Sequence, residues 1–362
     1  MNNPKKILLL SKYPRLGASS RLRSLQYLPY LESNNFKVTA QSLFDDEYLN
    51  SLYTQGNRSA IKIIKLYYRR LKTLLSAYNY DLIWIEKEIF PYLPAFAERL
   101  LRFFGKAYVV DYDDAIFHNY DLSKNVLFRK ILGHKIDSVM KNSNWVIAGN
   151  HYLADRAIVA KAPLVTIIPT VVDHTRYTAK EKITSKRLVI GWIGSPSTQK
   201  YVVDIHKALS RACLAYNARV MLVGATPQVV PELPGIDIEV VPWTESSEAD
   251  LIRLMDIGIM PLPDGPWEKG KCGYKLIQYM ASSVPVIASP VGVNLTIVQN
   301  SKSGLLASTP AEWEKALLQL LGLPEQRKSM GSAGRFAVEN NYSIQAQAPT
   351  LKKIFCETIN KH

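Results

Sequence analysis

Two successive runs of alternating strands and helices predict an α/β chain with two Rossmann-like, doubly wound parallel-sheet domains facing a central cleft. Three observations carry this expectation. Apolar runs recur at 7–10, 37–41, 82–85, 107–111 and 145–148, separated by segments of helical period, and the same alternation restarts at 188. The 362 residues exceed one ordinary core and suit two domains of roughly 170 residues each. Hydrophobic residues make up 47% and charged residues 21%, with no repetitive or long polar tract, so the chain reads as folded.

In the first half, the strand at 7–10 leads to a helix at about 20–34 and a strand at 37–41. A helix spans the sixties and seventies, and strands follow at 82–85, 107–111 and 145–148. The run 165–168 ends at Pro169-Thr170, and the polar stretch 178–187 reads as a linker. In the second half, strands fall at 188–192, 219–223, 238–241, 257–260 and 286–288. Helices fall at 200–216, 247–255, 273–283, 313–321 and 324–340. Strands joined through helices pair in parallel and are covered on both faces. Ligands of such sheets bind at the carboxyl ends of the strands.

Lys5 and Lys6 before an Ile-Leu-Leu-Leu run look like the start of a signal peptide, but the run stops at Ser11-Lys12 and no cleavage site follows. No segment approaches the ~18 apolar residues of a membrane span, so a cytoplasmic protein is expected. Cys213, Cys272 and Cys356 lack CxxC spacing, which implies neither a disulfide framework nor a structural zinc site. A net charge of +14 and a pI near 9.5 point toward polyanions: nucleic acid, an anionic membrane face or phosphorylated substrates. The basic residues form no aromatic-interleaved recognition module, so no specific nucleic-acid partner is expected. Across 58–74, Arg58, Lys62, Lys65, Arg69, Arg70 and Lys72 are interspersed with Ile61, Ile63, Ile64, Leu66, Tyr67, Tyr68, Leu71 and Leu74. That basic amphipathic helix suits an anionic membrane surface, with the protein peripheral at the inner face; a solvated face beside a core stripe is the competing reading.

Three loops are suited to phosphate. After the first strand, Gly17-Ala18-Ser19-Ser20-Arg21 opens a helix, where small residues admit an anion and Ser20, Arg21 and Arg23 add donors and charge. Ser19 or Ser20 as a plain N-cap is the alternative. After the strand at 188–192, Gly194 and Ser195 offer backbone N–H groups to a diphosphate, with Lys200 as a point charge. The third loop is the most informative. Met260-Pro261-Leu262-Pro263 stops a strand, and Gly270-Lys271-Cys272-Gly273-Tyr274-Lys275 opens a helix. Gly270, Gly273, Lys269, Lys271 and Lys275 converge on that helix N-terminus, and Gln278 lies a little over one turn further, on a face suited to a ribose. Neither a Walker pattern nor GxGxxG is present, which argues against a P-loop nucleotidase or a nicotinamide enzyme.

Together these portions resemble the GT-B glycosyltransferases, in particular the retaining family 4 (GT4) group of bacterial surface polysaccharide synthesis. The resemblance spans essentially the whole chain. It is clearest at Ser20-Arg21-Leu22-Arg23, at 191–200, and at 270–292 with Lys275-Leu276-Ile277-Gln278-Tyr279-Met280-Ala281. It implies an acceptor domain at 1–178, a nucleotide-sugar donor domain at 179–345, and a C-terminal helix at 346–362 that crosses back to the first domain. The implied activity moves a sugar from a nucleotide-diphosphate donor to a glycan or lipid-linked acceptor hydroxyl, with retention and with no metal or other cofactor required. Its setting would be cell-surface polysaccharide or glycolipid synthesis. Donor contacts would come from Gly17, Gly194, Ser195, Lys200, Gly270, Lys271, Cys272, Gly273, Tyr274, Lys275 and Gln278, and contacts to acceptor or phosphate from Ser20, Arg21 and Arg23.

The family's paired glutamates fall at Gly270 and Gln278, so neither is retained; Gln278 keeps hydrogen-bonding capacity, and Lys271, Glu268 or Asp264 are left to contact the sugar. The family's Arg-x-x-x-x-Lys pair is reduced to Lys200. Where the family often carries a histidine, residues 110–118 place Asp113 or Asp114 as the catalytic candidates, with His118 as a third. Three alternatives stand beside this: Asp111-x-Asp113 as a metal-binding pair, a nucleotide-sugar epimerase, and a non-catalytic membrane-associated assembly protein with a decayed donor site.

Overall fold

The computed structural model describes residues 3–54, 60–179 and 187–361. Arg58 and most of the 178–187 linker lie outside the described residues. The chain divides into two compact units, Met1–Thr170 with Gln347–His362, and Val171–Ala346.

Unit 1 is built on β1 (Lys5–Ser11), β2 (Phe36–Ser42), β3 (Leu82–Glu86), β4 (Tyr108–Tyr112), β5 (Trp145–Ala148) and β6 (Val165–Ile167). They form one parallel sheet in the order β2-β1-β3-β4-β5-β6. Every residue of β3 and β4 is buried, as a central parallel strand covered on both faces requires. The helix Ile344–Asn360 contributes its residues from Gln347 onward to this unit. Its Phe355 meets Trp84 edge-on at 5.1 Å and Phe36 at 6.3 Å, and Lys352 Nζ donates to Asn34 at 2.8 Å.

Unit 2 is built on β7 (Val189–Ile193), β8 (Arg219–Val223), β9 (Ile238–Val241), β10 (Ile257–Met260), β11 (Val286–Ala288) and β12 (Gly304–Leu306). Its parallel order, β12-β11-β10-β7-β8-β9, is the doubly wound dinucleotide-fold order. Alternate strand residues face opposite layers. Ile190, Trp192, Leu222 and Ile259 pack with Leu209 and Leu317 of the helices His206–Tyr216 and Pro310–Gly322. Ile193, Met221, Val223 and Met260 pack with Leu276 and Val338 of the helices Tyr274–Ala281 and Pro324–Asn341. The fold is therefore two Rossmann-like domains, as the alternation predicts.

Two expected helices are broken. The segment at 20–34 is two helices, Ala18–Arg23 and Leu28–Ser33, because Pro29 lacks an N–H and restarts the helix near its first position. The segment at 200–216 divides into Lys200–Val203 and His206–Tyr216, with no proline or glycine to mark the break. The short strand β12 is not anticipated by the sequence pattern.

Candidate functional site

In unit 2 the strand order reverses between β7 and β10, so the crossovers leave β7 and β10 on opposite sides and open a crevice at their carboxyl ends. The loops after these two strands carry the candidate anion groups. Gly273 starts the helix Tyr274–Ala281 at φ +65°, and a Cβ there would lie 2.5 Å from Ile297 Cδ1, so only glycine fits. In the first turn, Lys275 places Nζ 4.4 Å from the Trp192 ring centroid and 3.4 Å from Thr198 Oγ1. The same ammonium abuts Gly194, where a Cβ would come within 2.6 Å of it.

Among the described residues no carboxylate pairs with Lys275. Burial, followed by the charge of Lys271, lowers its pKa to about 7. An ammonium desolvated against an indole face and without a counter-charge is poised to take an anion. Lys271 Nζ lies 5.3 Å from the Trp267 ring centroid and adds positive potential. A Cβ at Gly194 would also come within 2.5 Å of the buried Trp192 ring, so Gly194→Ala is expected to lower stability by about 1–3 kcal/mol and, by displacing Lys275, to weaken affinity for a nucleotide diphosphate by ~tenfold or more, the first measurable by urea melts and the second by calorimetric titration on the folded fraction.

The remaining sequence-derived donor residues occupy varied places. Gly270 ends the turn Pro266–Lys269, where Glu268 Oε1 accepts from Tyr201 at 2.8 Å and Lys269 pairs with Asp264 at 3.2 Å. Cys272 is buried with Sγ 3.9 Å from Gly270 O. Lys200 is exposed over its neighbour Tyr201 rather than brought to Lys275. Ser195 is exposed and bonded to Ser197 at 2.9 Å. Gln278 is buried, and its Nε2 donates to Tyr177 Oη at 3.3 Å. Tyr177 in turn donates to Glu248 at 2.9 Å and interacts with Tyr274, so Gln278 and Tyr274 join one internal network.

In unit 1 the order reverses between β1 and β3, and the segments after these strands again carry the polar groups. Lys87 follows β3 at φ +65° and is nearly buried. Its Nζ donates to Ser19 Oγ at 3.1 Å and pairs with Asp113 at 2.8 Å and Asp114 at 3.5 Å. Burial opposes the charge on Lys87, yet Asp113, Asp114 and Glu86 hold its pKa above the ordinary value. Burial likewise pushes Asp113 upward, but Lys87 and the Ser19 hydroxyl outweigh it and bring the carboxyl down to about 2. Asp113 is therefore an anion at any physiological pH, fitted to stabilise positive charge rather than to accept a proton.

Ser20, Arg21 and Arg23 are engaged within this unit. Ser20 Oγ donates to Glu86 Oε2 at 2.6 Å, and Arg21 donates to Arg15 O at 3.0 Å. Arg23 grips Asp111 bidentately at 2.8 and 3.2 Å and donates to Ile168 O at 2.8 Å. Gly17 precedes the helix Ala18–Arg23, against Tyr13, where a Cβ would come within 2.4 Å. Arg23 pairs with Asp111, and Lys87 is shared between Asp113 and Asp114, so each carboxylate of the Asp111-x-Asp113 pair faces a cation, and among the described residues no third possible ligand joins them in a metal-binding cluster.

His118 lies in a separate network. Its Nδ1 bonds Asp121 at 2.9 Å, its Nε2 bonds Tyr152 Oη at 2.8 Å, and Arg156 bonds Asp121 at 3.0 Å. Both ring nitrogens are occupied, so His118→Ala is expected to lower stability by about 1–3 kcal/mol while leaving turnover per folded molecule largely intact. Urea melts and active-fraction kinetics measure the two separately.

Sequence reasoning missed Glu86, Lys87 and Glu88. Their signal was present: three consecutive charges that begin at the last residue of an otherwise apolar strand. Glu88 accepts from Tyr120 at 2.8 Å and pairs with Lys135, which anchors the far end of this charged segment.

Comparison with known proteins adds to this geometry. Residues 187–322 match the family model described as glycosyl transferases group 1. Sucrose-phosphate synthase from Thermosynechococcus elongatus superposes with a TM-score of 0.74 at 15% identity, covering 99% of this chain and 100% of that one. A glycosyltransferase from Rickettsia africae gives 0.71 at 15% identity, covering 100% of both chains. HepE from Anabaena, solved with UDP and glucose, gives 0.69 at 15% identity, covering 98% of this chain and 100% of that one. No curated protein sequence matches the chain. At these identities the likeness establishes the fold, the two Rossmann-like domains of the GT-B architecture.

Proposed function

We propose that the chain is a GT-B glycosyltransferase of the retaining family 4 type. Unit 2 binds a nucleotide-diphosphate sugar, and unit 1 binds the acceptor, a glycan or a lipid-linked glycan of cell-surface polysaccharide or glycolipid synthesis. The observation that carries this is Lys275: an ammonium without a counter-charge among the described residues, packed on Trp192 and Gly194 at the switch point of a doubly wound sheet. It lies inside the segment that matches the group 1 model.

The chemistry follows from charge. Departure of the nucleoside diphosphate builds negative charge, which Lys275, Lys271 and the helix beginning after Gly273 offset without a required metal or other cofactor. Asp113 and Asp114 supply anionic charge for the positively charged sugar in the transition state, with their position fixed by Lys87. The enzyme works on the cytoplasmic side, peripheral to the inner face of the membrane.

A panel of nucleotide sugars screened for thermal stabilisation, with chelator present, tests the reading, because a bound donor raises the melting temperature by mass action. Stabilisation by one donor class is expected; abolition of transfer by chelator would return the metal-dependent alternative. Gln278, turned to Tyr177, favours a second reading in which the donor site has decayed. That reading gives no stabilisation by any donor in the panel.

A further inference from the structure

Lys12 follows β1 directly, at the reversal of strand order between β1 and β3 in unit 1. Its backbone is fixed on both sides: the amide donates to Glu86 Oε2 at 2.8 Å, and the carbonyl accepts from Phe44 N at 3.0 Å. Its Nζ lies 5.3 Å from the Tyr13 ring centroid, and Tyr13 is braced against Phe44 at 5.6 Å. The side chain is partly buried, yet among the described residues its ammonium makes no hydrogen bond and no ion pair.

The carboxylates that act on this ammonium are engaged elsewhere. Glu86 receives the Ser20 hydroxyl at 2.6 Å as well as the Lys12 amide, and Glu88 is held by Tyr120 at 2.8 Å and by Lys135. Asp113 and Asp114 are taken by Lys87. Burial, then the positive charge of Lys87, pushes the Lys12 pKa below its ordinary value, and the opposing pull of Glu88, Glu86 and Tyr92 is smaller. Arg21 and Arg23 of the following helix are turned to Arg15 O and Asp111.

The arrangement repeats that of unit 2. There Lys275 also lies at the switch point, packs on an aromatic ring, and is pushed down by burial and a second lysine. A cation desolvated in a ligand crevice without its counter-charge is completed by an anionic ligand. Tyr92, 58% exposed at φ +62°, lies within range of the Lys12 charge and adds an aromatic face beside it.

We propose that the acceptor is an acidic sugar whose phosphate or carboxylate docks on Lys12. This rests on unit 1 being the acceptor domain, and it narrows the acceptor from any glycan to one that carries negative charge on the sugar. An uncharged acceptor would cover the ammonium and leave it unpaired in the complex.

Calorimetric titration with glucose, glucose 6-phosphate and glucuronate, without nucleotide, tests the proposal. Lys275→Met serves as the background, so that the unit 2 lysine contributes no anion site. An acidic probe is expected to bind ~tenfold or more tightly than glucose, and the order of the two acids tells phosphate from carboxylate. Lys12→Gln should remove that preference, while Lys12→Arg should retain one. Because the Lys12 ammonium bonds to nothing among the described residues, Lys12→Gln should not lower the melting temperature. Equal affinity for all three probes overturns the proposal, as does a preference that survives Lys12→Gln. UDP titrated into the protein with Lys275 intact separates this from the donor reading. UDP binding without an acid preference removes the acidic acceptor alone; an acid preference lost in Lys12→Gln, without UDP binding, removes the donor reading and leaves the Lys12 site standing.

Discussion

Lys275→Met is expected to stabilise the free protein and to weaken severely the donor chemistry proposed for it. In the free state the ammonium is desolvated beside Trp192, with Lys271 adding repulsion and no carboxylate in compensation among the described residues. An apolar side chain of similar length removes that cost, for a gain of about 1–3 kcal/mol. The gain depends on pH with a definite sign. The folded-state pKa of about 7 lies below the ordinary 10.5. The penalty is therefore fully present below pH 7 and is relieved as pH rises from there toward 10.5, because the folded protein has already released the proton. Chemical melts at pH 6.5 and pH 9.5 should show the advantage of Lys275→Met shrinking. Turnover should move the other way: losing a preorganised charge at the leaving diphosphate is expected to cost ~10²–10³ in kcat/KM. A merely structural lysine would not produce this opposition between stability and activity.

Arg23→Met is expected to produce the largest loss of stability, about 3–5 kcal/mol, because it leaves a buried carboxylate without its partner. Arg23 and Asp111 are each less than 5% exposed and joined by two hydrogen bonds. Burial raises the Asp111 pKa to about 6 despite the opposing Arg23 charge. Since the folded value exceeds the ordinary 3.8, the cost of the ionised carboxylate is fully present above pH 6 and relieved as pH falls from about 6 toward 4. The damage from Arg23→Met should accordingly be greater in urea melts at pH 8 than at pH 5. Adding Asp111→Leu should recover most of the loss, since removing both partners deletes the uncompensated charge.

What was legible in the sequence follows interaction range. β3, β4 and β7 could be read because central parallel strands are predominantly apolar runs, broken in β4 only by Asp111 and in β3 by its last residue Glu86, and β10 because Pro261 and Pro263 follow it. β12 is only three residues, Gly304–Leu306, too short for a periodic signal. The loop of Gly273 and Lys275 was legible as a local cluster of glycine and lysine. That Lys275 rather than Lys200 meets Gly194 was not, since the pair is formed by topology across 81 positions of sequence (275 − 194). The same holds for Arg23 and Asp111, 88 residues apart, which from spacing alone looked like an acceptor contact and half of a metal motif. In the helix Ala60–Leu75 the composition showed basic and apolar residues together, but only packing separates the core face from the exposed face.

The most direct test of the donor site is a calorimetric titration of the unaltered protein with UDP, GDP and ADP in buffers of different ionisation enthalpy. A diphosphate that closes on Lys275 restores its proton. At pH 8.5 binding should take up about one proton, falling to about half a proton at pH 7, with affinity declining as pH rises above 7. Lys275→Met should lose both the binding and the proton uptake. Saturable binding with no proton uptake, equal in Lys275→Met, would contradict the account, as would the absence of binding by every diphosphate.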